Sequence, residues 1–192
     1  MQAPRLPSNE RERIQVLRDL LILDTKPEER FDSITAYAQS RFQVEIALVS
    51  LVDSNRQWFK STCGLDAHET PRDISFCGHA ILGDSVLEIR NALFDPRFAD
   101  NPLVVGTPFI RFYAGAPLKL SSGNKVGTLC LIDSKPKHLE TEELDHLRVL
   151  AHMVSMELEH QGRIDNCKDH CLYGQLPAEC PYTNTKHHLP DY

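Results

Sequence analysis

Two stretches that read as antiparallel strand pairs, held apart by a long irregular crossover, constrain this chain more than any other feature. Glu45 to Asp53 (EIALVSLVD) alternates and is rich in β-branched residues, and Ser54-Asn55 turns it into a second strand over Arg56 to Thr62. Phe112 to Leu120 and Lys125 to Asp133 repeat the arrangement across Ser121-Ser122-Gly123-Asn124. Trp58 and Phe59 are neighbours, so they point to opposite faces of their strand, and only one can be buried if the other face is open.

The stretch between the pairs, Pro71 to Leu118, is punctuated by Pro and Gly too often to be one helix or one strand. Its landmarks are Asp95-Pro-Arg-Phe98 and Arg111-Phe-Tyr-Ala-Gly115. Apolar anchors at Phe94, Phe98, Leu103, Val104 and Ile110 predict a packed lid rather than a loose linker, because long ordered loops tend to be functional. The lid is the candidate wall of a pocket.

Helices flank this centre. Asn9 and Glu12 have capping-box spacing, and the stripe Ile14, Leu17, Leu20, Leu21 and Leu23 continues until Asp24-Thr25-Lys26-Pro27 stops it. A second helix is predicted from Glu28 to Phe42, with Phe31, Ile34, Tyr37, Ala38 and Phe42 on one face. A third opens at Thr141, where Glu142 and Glu143 favour the positive helix end, and its stripe is Leu144, Leu147, Leu150, Ala151, Val154 and Leu158. Helix, helix, hairpin, crossover, hairpin, helix is the order of an α+β domain with an antiparallel sheet. Residues 1–8 read as a flexible arm, residues 9–160 as the domain, and residues 161–192 as a tail poor in aliphatics and rich in Cys and His.

Of 192 residues, 41% are hydrophobic, which suffices for one core. With 21 Lys and Arg against 27 Asp and Glu, the formal net charge is -6, and no basic cluster offers itself to nucleic acid. No apolar run approaches the roughly 20 residues that span a bilayer, and the start MQAPRLPSNERER lacks a signal-peptide core. A cytosolic protein with no membrane partner is expected, its six cysteines mostly reduced.

Leu23-Asp24-Thr25, Val49-Ser-Leu-Val-Asp53, Arg56-Gln-Trp-Phe-Lys60, Phe76-Cys77, Asp95-Pro-Arg-Phe98, Arg111-Phe-Tyr-Ala-Gly115 and Gly127-Thr-Leu-Cys-Leu-Ile-Asp133 occur in one order. Together they resemble the GAF domains of bacterial sensor histidine kinases and diguanylate cyclases, over about Asn9 to His160. The resemblance implies a central antiparallel sheet with the terminal helices on one face and a small-molecule pocket on the other, roofed by the crossover lid. It also implies pairing through the terminal helices. The expectation is therefore a stand-alone sensory module, a homodimer with an unidentified small-molecule ligand, read by a downstream signalling protein and not itself an enzyme. A ligand-free dimerisation scaffold is the alternative if the interior is filled.

The candidate ligand contacts are Arg111, Tyr113, Cys77, Asp95 and Arg97. Alternation turns Arg111 and Tyr113 to one side, where a guanidinium and a phenol could fix a polar ligand. Equally, Arg111 could pin the lid by pairing with Asp95 or Asp100, the reading a buried arginine favours, and Arg97, Arg72 and Asp73 read in the same way. Cys77, in Ser75-Phe-Cys-Gly-His-Ala80, is placed at a helix start that would favour a thiolate, with His79 near and Cys63 as a resolving partner. This segment is similar to Gly-Val-Cys-Gly of free methionine-(R)-sulfoxide reductases, which makes a thiol enzyme the competing reading. Cys77-Gly-His79 lacks the adjacent Cys-His of bilin attachment, and Asn124-Lys125 with Glu142-Glu143 is a poor match to the cyclic-nucleotide signature. Cys130 is read as core. In the tail, Cys167, Cys171 and Cys180 with His170, and His187 and His188 nearby, could supply a tetrahedral zinc site.

Overall fold

The computed structural model describes the backbone of residues 1–172 and the side chains of residues 1–160. The elements are α1 (Glu10–Asp19), α2 (Glu29–Phe42), β1 (Ile46–Val52), β2 (Arg56–Cys63), β3 (Glu69–Pro71), α3 (Phe76–Ala80), β4 (Leu87–Ile89), α4 (Pro102–Val105), β5 (Phe112–Lys119), β6 (Lys125–Asp133) and α5 (Thr141–Leu172). The strands form one antiparallel sheet in the order β3-β2-β1-β6-β5-β4. The two predicted hairpins supply its four central strands. The crossover contributes the short edge strands β3 and β4, which the sequence reading left inside the lid.

Each central strand is buried on both faces. Ala47, Val49 and Leu51 of β1 face α1, α2 and α5, packing with Leu17, Phe31, Phe42, Leu147 and Val154. Ile46, Leu48 and Val52 face the lid, with Phe76, Ile81, Phe98, Val104 and Ile110. Trp58 and Phe59 are consequently both buried, one in each core, because neither sheet face is open. Among the lid anchors, Phe98, Val104 and Ile110 are buried and Leu103 is half-buried, but Phe94 is 84% exposed at the end of a single 3-10 turn.

The predicted capping box does not form. Asn9 makes no cap; its amide donates to Asn124 Oδ1 at 2.7 Å, and Asn124 Nδ2 donates to Glu12 Oε1 at 2.9 Å. A buried asparagine in the β5–β6 turn thus takes both residues that would have satisfied each other locally. Leu21 adopts a left-handed φ of 51° after α1 ends, which turns its side chain out and brings Ile22 into the core instead. Tyr37 lies on the exposed side of α2. The arm expected to be loose lies along the lid: Gln2 N donates to Arg97 O at 3.0 Å, and Pro4 sits against Gly78. Helix α5 runs through the expected boundary at residue 160 as far as Leu172. Among the described residues no helix is long and apolar enough to cross a membrane.

Candidate functional site

Side-chain caps build the lid from short pieces. Ser75 Oγ accepts from Gly78 N at 2.9 Å to start α3, and donates to Gln57 Oε1 of β2 at 2.6 Å. Asn101 Oδ1 accepts from Leu103 N to start α4, while its amide donates to Ile74 O, both at 2.9 Å. One cap therefore ties the lid to the sheet and the other ties the lid to itself. Beneath them the space is filled by aromatic rings. Phe76 stacks on Phe98 with centroids 4.0 Å apart and tilts against Tyr113 at 5.1 Å. Tyr113 lies over Gly115, where a Cβ would come within 2.1 Å of its Oη, so the glycine of the Arg-Phe-Tyr-Ala-Gly run is the space the ring occupies.

At the bottom of this core is a polar island. Tyr113 Oη donates to Cys77 Sγ at 3.5 Å, and Cys77 Sγ lies 3.8 Å from Cys130 Sγ. Ser50 and Thr128, cross-strand partners on β1 and β6, are fully buried there, and neither hydroxyl has a hydrogen-bond partner. Burial opposes a Cys77 thiolate, but the Cys130 thiol and the Thr128, Tyr113 and Ser50 hydroxyls, which can turn to a sulfur anion, outweigh it and draw the Cys77 pKa below its ordinary value. Cys130 is pushed up by its hydrogen bond with Cys77 and by burial, and Tyr113 chiefly by burial.

The other expected residues are distributed differently. Asp95 and Arg97 pair with each other, Arg97 Nε and Nη2 reaching the two carboxylate oxygens at 2.9 and 2.6 Å; Arg97 holds the Asp95 carboxyl below its ordinary value. Arg111 does pin the lid, but through neither Asp95 nor Asp100. Its Nη1 donates to the carbonyls of Val104, Phe109 and Ile110 at 2.9, 3.1 and 3.1 Å, because the chain between α4 and β5 curls around the guanidinium. Tyr113 and Cys77 meet; Asp95, Arg97 and Arg111 are engaged elsewhere on the lid.

The thiol trio does not assemble. Cys63 is opposite Ala47 on the helix side of the sheet and donates to Gln39 Oε1 of α2 at 3.1 Å. His79 donates through Nε2 to Gln2 O at 3.0 Å and packs edge-on against Phe98; burial lowers its pKa. The neighbour of Cys77 is Cys130, which the sequence reading treated as packing alone.

A second polar centre, missed in the sequence, joins α1 to the start of the crossover. Glu10 accepts from Arg13 Nε at 2.8 Å and from Arg72 Nη1 at 2.5 Å, while Arg13 Nη1 donates to Val52 O at 2.6 Å and Arg72 Nη1 to Asp53 O at 2.9 Å. Against the cost of burial, these two arginines lower the Glu10 pKa from 4.5 to about 2. The only sequence signal is the i, i+3 spacing of Glu10 and Arg13. Among the described residues no three His, Cys, Asp or Glu side chains are arranged to hold a metal. The zinc candidates Cys167, His170, Cys171 and Cys180 lie outside the residues whose side chains are described.

A six-stranded antiparallel sheet, with terminal helices on one face and a capped lid on the other, defines a small α+β domain. The GAF domain family matches residues 26–158, and the chain belongs to that family. It is 48% identical over 172 residues to a cyclic di-GMP phosphodiesterase of Pseudomonas aeruginosa, an alignment covering 90% of this chain but only 28% of that protein's length. Among solved structures it resembles the GAF domain of a phosphoenolpyruvate-protein phosphotransferase from Coxiella burnetii (TM-score 0.61, 15% identity, 83% of this chain and 99% of that one). It also resembles a domain of a putative two-component sensor histidine kinase protein from Sinorhizobium meliloti (TM-score 0.56, 14% identity, 74% and 97%).

Proposed function

We propose that this GAF signalling module works as a homodimer whose state is carried by α5. The observation behind this reading is an apolar stripe on the outer side of that helix. Leu147, Leu150, Val154 and Leu158 of α5 are spent on the core, yet Val149, Met153 and Met156 remain 59%, 47% and 57% exposed. Their spacing of four and then three residues is that of a coiled-coil seam, and α5 continues beyond it to Leu172. Beside the stripe, Ser33, Ile34 and Tyr37 of α2 and His146 of α5 complete a groove of about 390 Å³ that a second copy would fill. Likeness to a cyclic di-GMP phosphodiesterase supports a place in the control of cyclic di-GMP turnover, with an enzyme of that kind as the downstream partner and the cytoplasm as the setting.

The sensing step is the binding of a small molecule under the lid, which would favour one α5 pairing over another. Such a ligand must displace the Phe76, Phe98 and Tyr113 rings. Their close packing favours a second reading, in which the domain pairs without a ligand. Light scattering on a size-exclusion column tests the pairing: the wild-type chain should run as a dimer and Val149→Glu/Met153→Glu as a folded monomer, whereas a monomeric wild type rejects it. Native mass spectrometry of the same sample separates the two readings. A bound small molecule supports sensing, and an empty dimer supports the scaffold.

A further inference from the structure

We propose that Cys77 and Cys130 are an oxidant-responsive pair that closes to a disulfide, fastening the lid helix α3 to the central strand β6. The two sulfurs are in van der Waals contact at 3.8 Å, and each belongs to a different layer of the domain. Both are buried, and the other thiol among the described residues, Cys63, is on the opposite side of the sheet. A pair placed only to fill space needs no polar company. Here the Ser50 and Thr128 hydroxyls lie beside the sulfurs, without a partner while Cys77 is a thiol and free to turn toward its sulfur when it ionises, and Tyr113 adds a third group that already donates to Cys77. A buried hydroxyl without a partner costs stability, so two of them around two thiols require an explanation other than packing. Hydroxyls directed at a sulfur stabilise its anion, the form that reacts.

The oxidant is hydrogen peroxide, admitted when α3 lifts. This helix has only five residues, and its lifting breaks its own cap, the Ser75–Gln57 bond, the contact of Pro4 with Gly78 and the stack of Phe76 on Phe98 and Tyr113, a local opening far smaller than unfolding of the sheet. The Cys77 thiolate attacks one peroxide oxygen and the O–O bond breaks, giving a sulfenic acid and hydroxide, which takes up the proton Cys77 released. Cys130, losing its proton, then attacks the Cys77 sulfur, and the S–O bond breaks to release a second water. Two thiols are oxidised by two electrons and one peroxide is reduced to two waters. Contraction from 3.8 Å to the roughly 2.05 Å of an S–S bond draws α3 toward β6. Phe76, adjacent to Cys77, would move with it and shift the stack on Phe98 and Tyr113.

The test is peroxide treatment of the folded full chain, alkylation of remaining thiols, and non-reducing peptide mapping by mass spectrometry, with hydrogen exchange on the same samples. The expected result is a Cys77–Cys130 cross-link reversed by dithiothreitol, with slower exchange across α3 in the oxidised form. Cys130→Ser should instead trap a dimedone-reactive sulfenic acid at Cys77. Thr128→Val should fold normally and slow cross-linking at least about threefold, since it removes one group that favours the thiolate. Oxidation confined to Cys63 and the tail, with Cys77 and Cys130 still alkylated only after denaturation, would overturn the proposal. So would a cross-linking rate unchanged in Thr128→Val and equal to the rate of global unfolding.

Discussion

The two sides of the sheet treat buried polar groups in opposite ways. On the helix side, Lys60 is fully buried yet bonded to Glu28, Thr25 and the Lys26 carbonyl at 2.6 to 2.7 Å, and Thr35, Ser61 and Asp32 form a closed chain of hydroxyl and carboxylate contacts. On the lid side, the caps Ser75 and Asn101 are bonded, but Ser50 and Thr128 are buried without a partner next to two thiols. A satisfied network rigidifies a core, whereas an unsatisfied one costs stability and survives where it has another use. The helix side is therefore built to hold the fold, and the lid side is the part of the domain built to change.

The strongest way to test that division is to excavate both cores. Phe31, fully buried among the helix-side residues and under the Arg30 guanidinium at 4.6 Å, should cost about 4 kcal/mol as Phe31→Ala and lower the denaturation midpoint of the whole domain. Phe98→Ala, on the lid side, should cost somewhat less, about 3 kcal/mol, and raise hydrogen exchange in α3 and α4 while β1 and β6 stay protected. Equal loss of protection throughout both variants would break the comparison.

Glu10 sharpens it at the seam where α1 meets the crossover. Its folded pKa of about 2 is below the ordinary 4.5, so the stability it contributes is present above about pH 4.5 and is lost as the pH falls toward 2. Allowing for solvent screening, Glu10→Gln should cost about 2 kcal/mol at neutral pH by leaving Arg13 and Arg72 without their shared carboxylate. Urea titrations of the two proteins should converge below pH 2. A gap unchanged with pH would show that the loss comes from packing.

The helix-side core was legible because periodicity carries it: alternation in Glu45 to Asp53 gave β1, and the acidic start at Thr141 gave α5. Short elements were not. Strands β3 and β4 have three residues each, too few for a period to declare itself, and they exist because the edges of β2 and β5 offer free backbone groups. At the site, Asp95 and Arg97 are two residues apart, yet the sequence reading offers Asp95 to Arg111, because nothing in the spacing says that the turn folds Arg97 back on its own neighbour. The contact of Cys77 with Cys130 spans 53 positions and follows only from α3 lying across β6. Arg111 was hidden for another reason: its partners are carbonyls, which every residue possesses and no sequence pattern marks.

That arginine supplies a smaller test. Three carbonyl bonds from a half-buried guanidinium should make Arg111→Ala cost about 1–2 kcal/mol, measured by thermal and urea unfolding. All three bonds leave one nitrogen, so Arg111→Lys, whose ammonium carries three donors, should recover part of the loss if its stem reaches the loop. An unchanged melting profile would remove the lid-pinning role and return Arg111 to the list of ligand contacts.

The smallest expected effect has the opposite sign. Thr128 is cross-strand to Ser50 in the middle of the sheet, and its hydroxyl has no partner, so Thr128→Val exchanges an unsatisfied oxygen for a methyl of similar shape. With Cys77 held as a thiol, at a pH below its ionisation, removing that desolvation cost should stabilise the domain by about 1 kcal/mol. The matching change on the helix side, Ser61→Ala, deletes a hydroxyl bonded to both Thr35 and Asp32 and should destabilise by about 1 kcal/mol. Two hydroxyl deletions on β6 and β2, the strands that flank β1, with opposite signs would show that stability has been given up at the polar island and not across the sheet from it. If Thr128→Val is destabilising, its hydroxyl does bond in solution, and the polar island is a packed network like the one across the sheet.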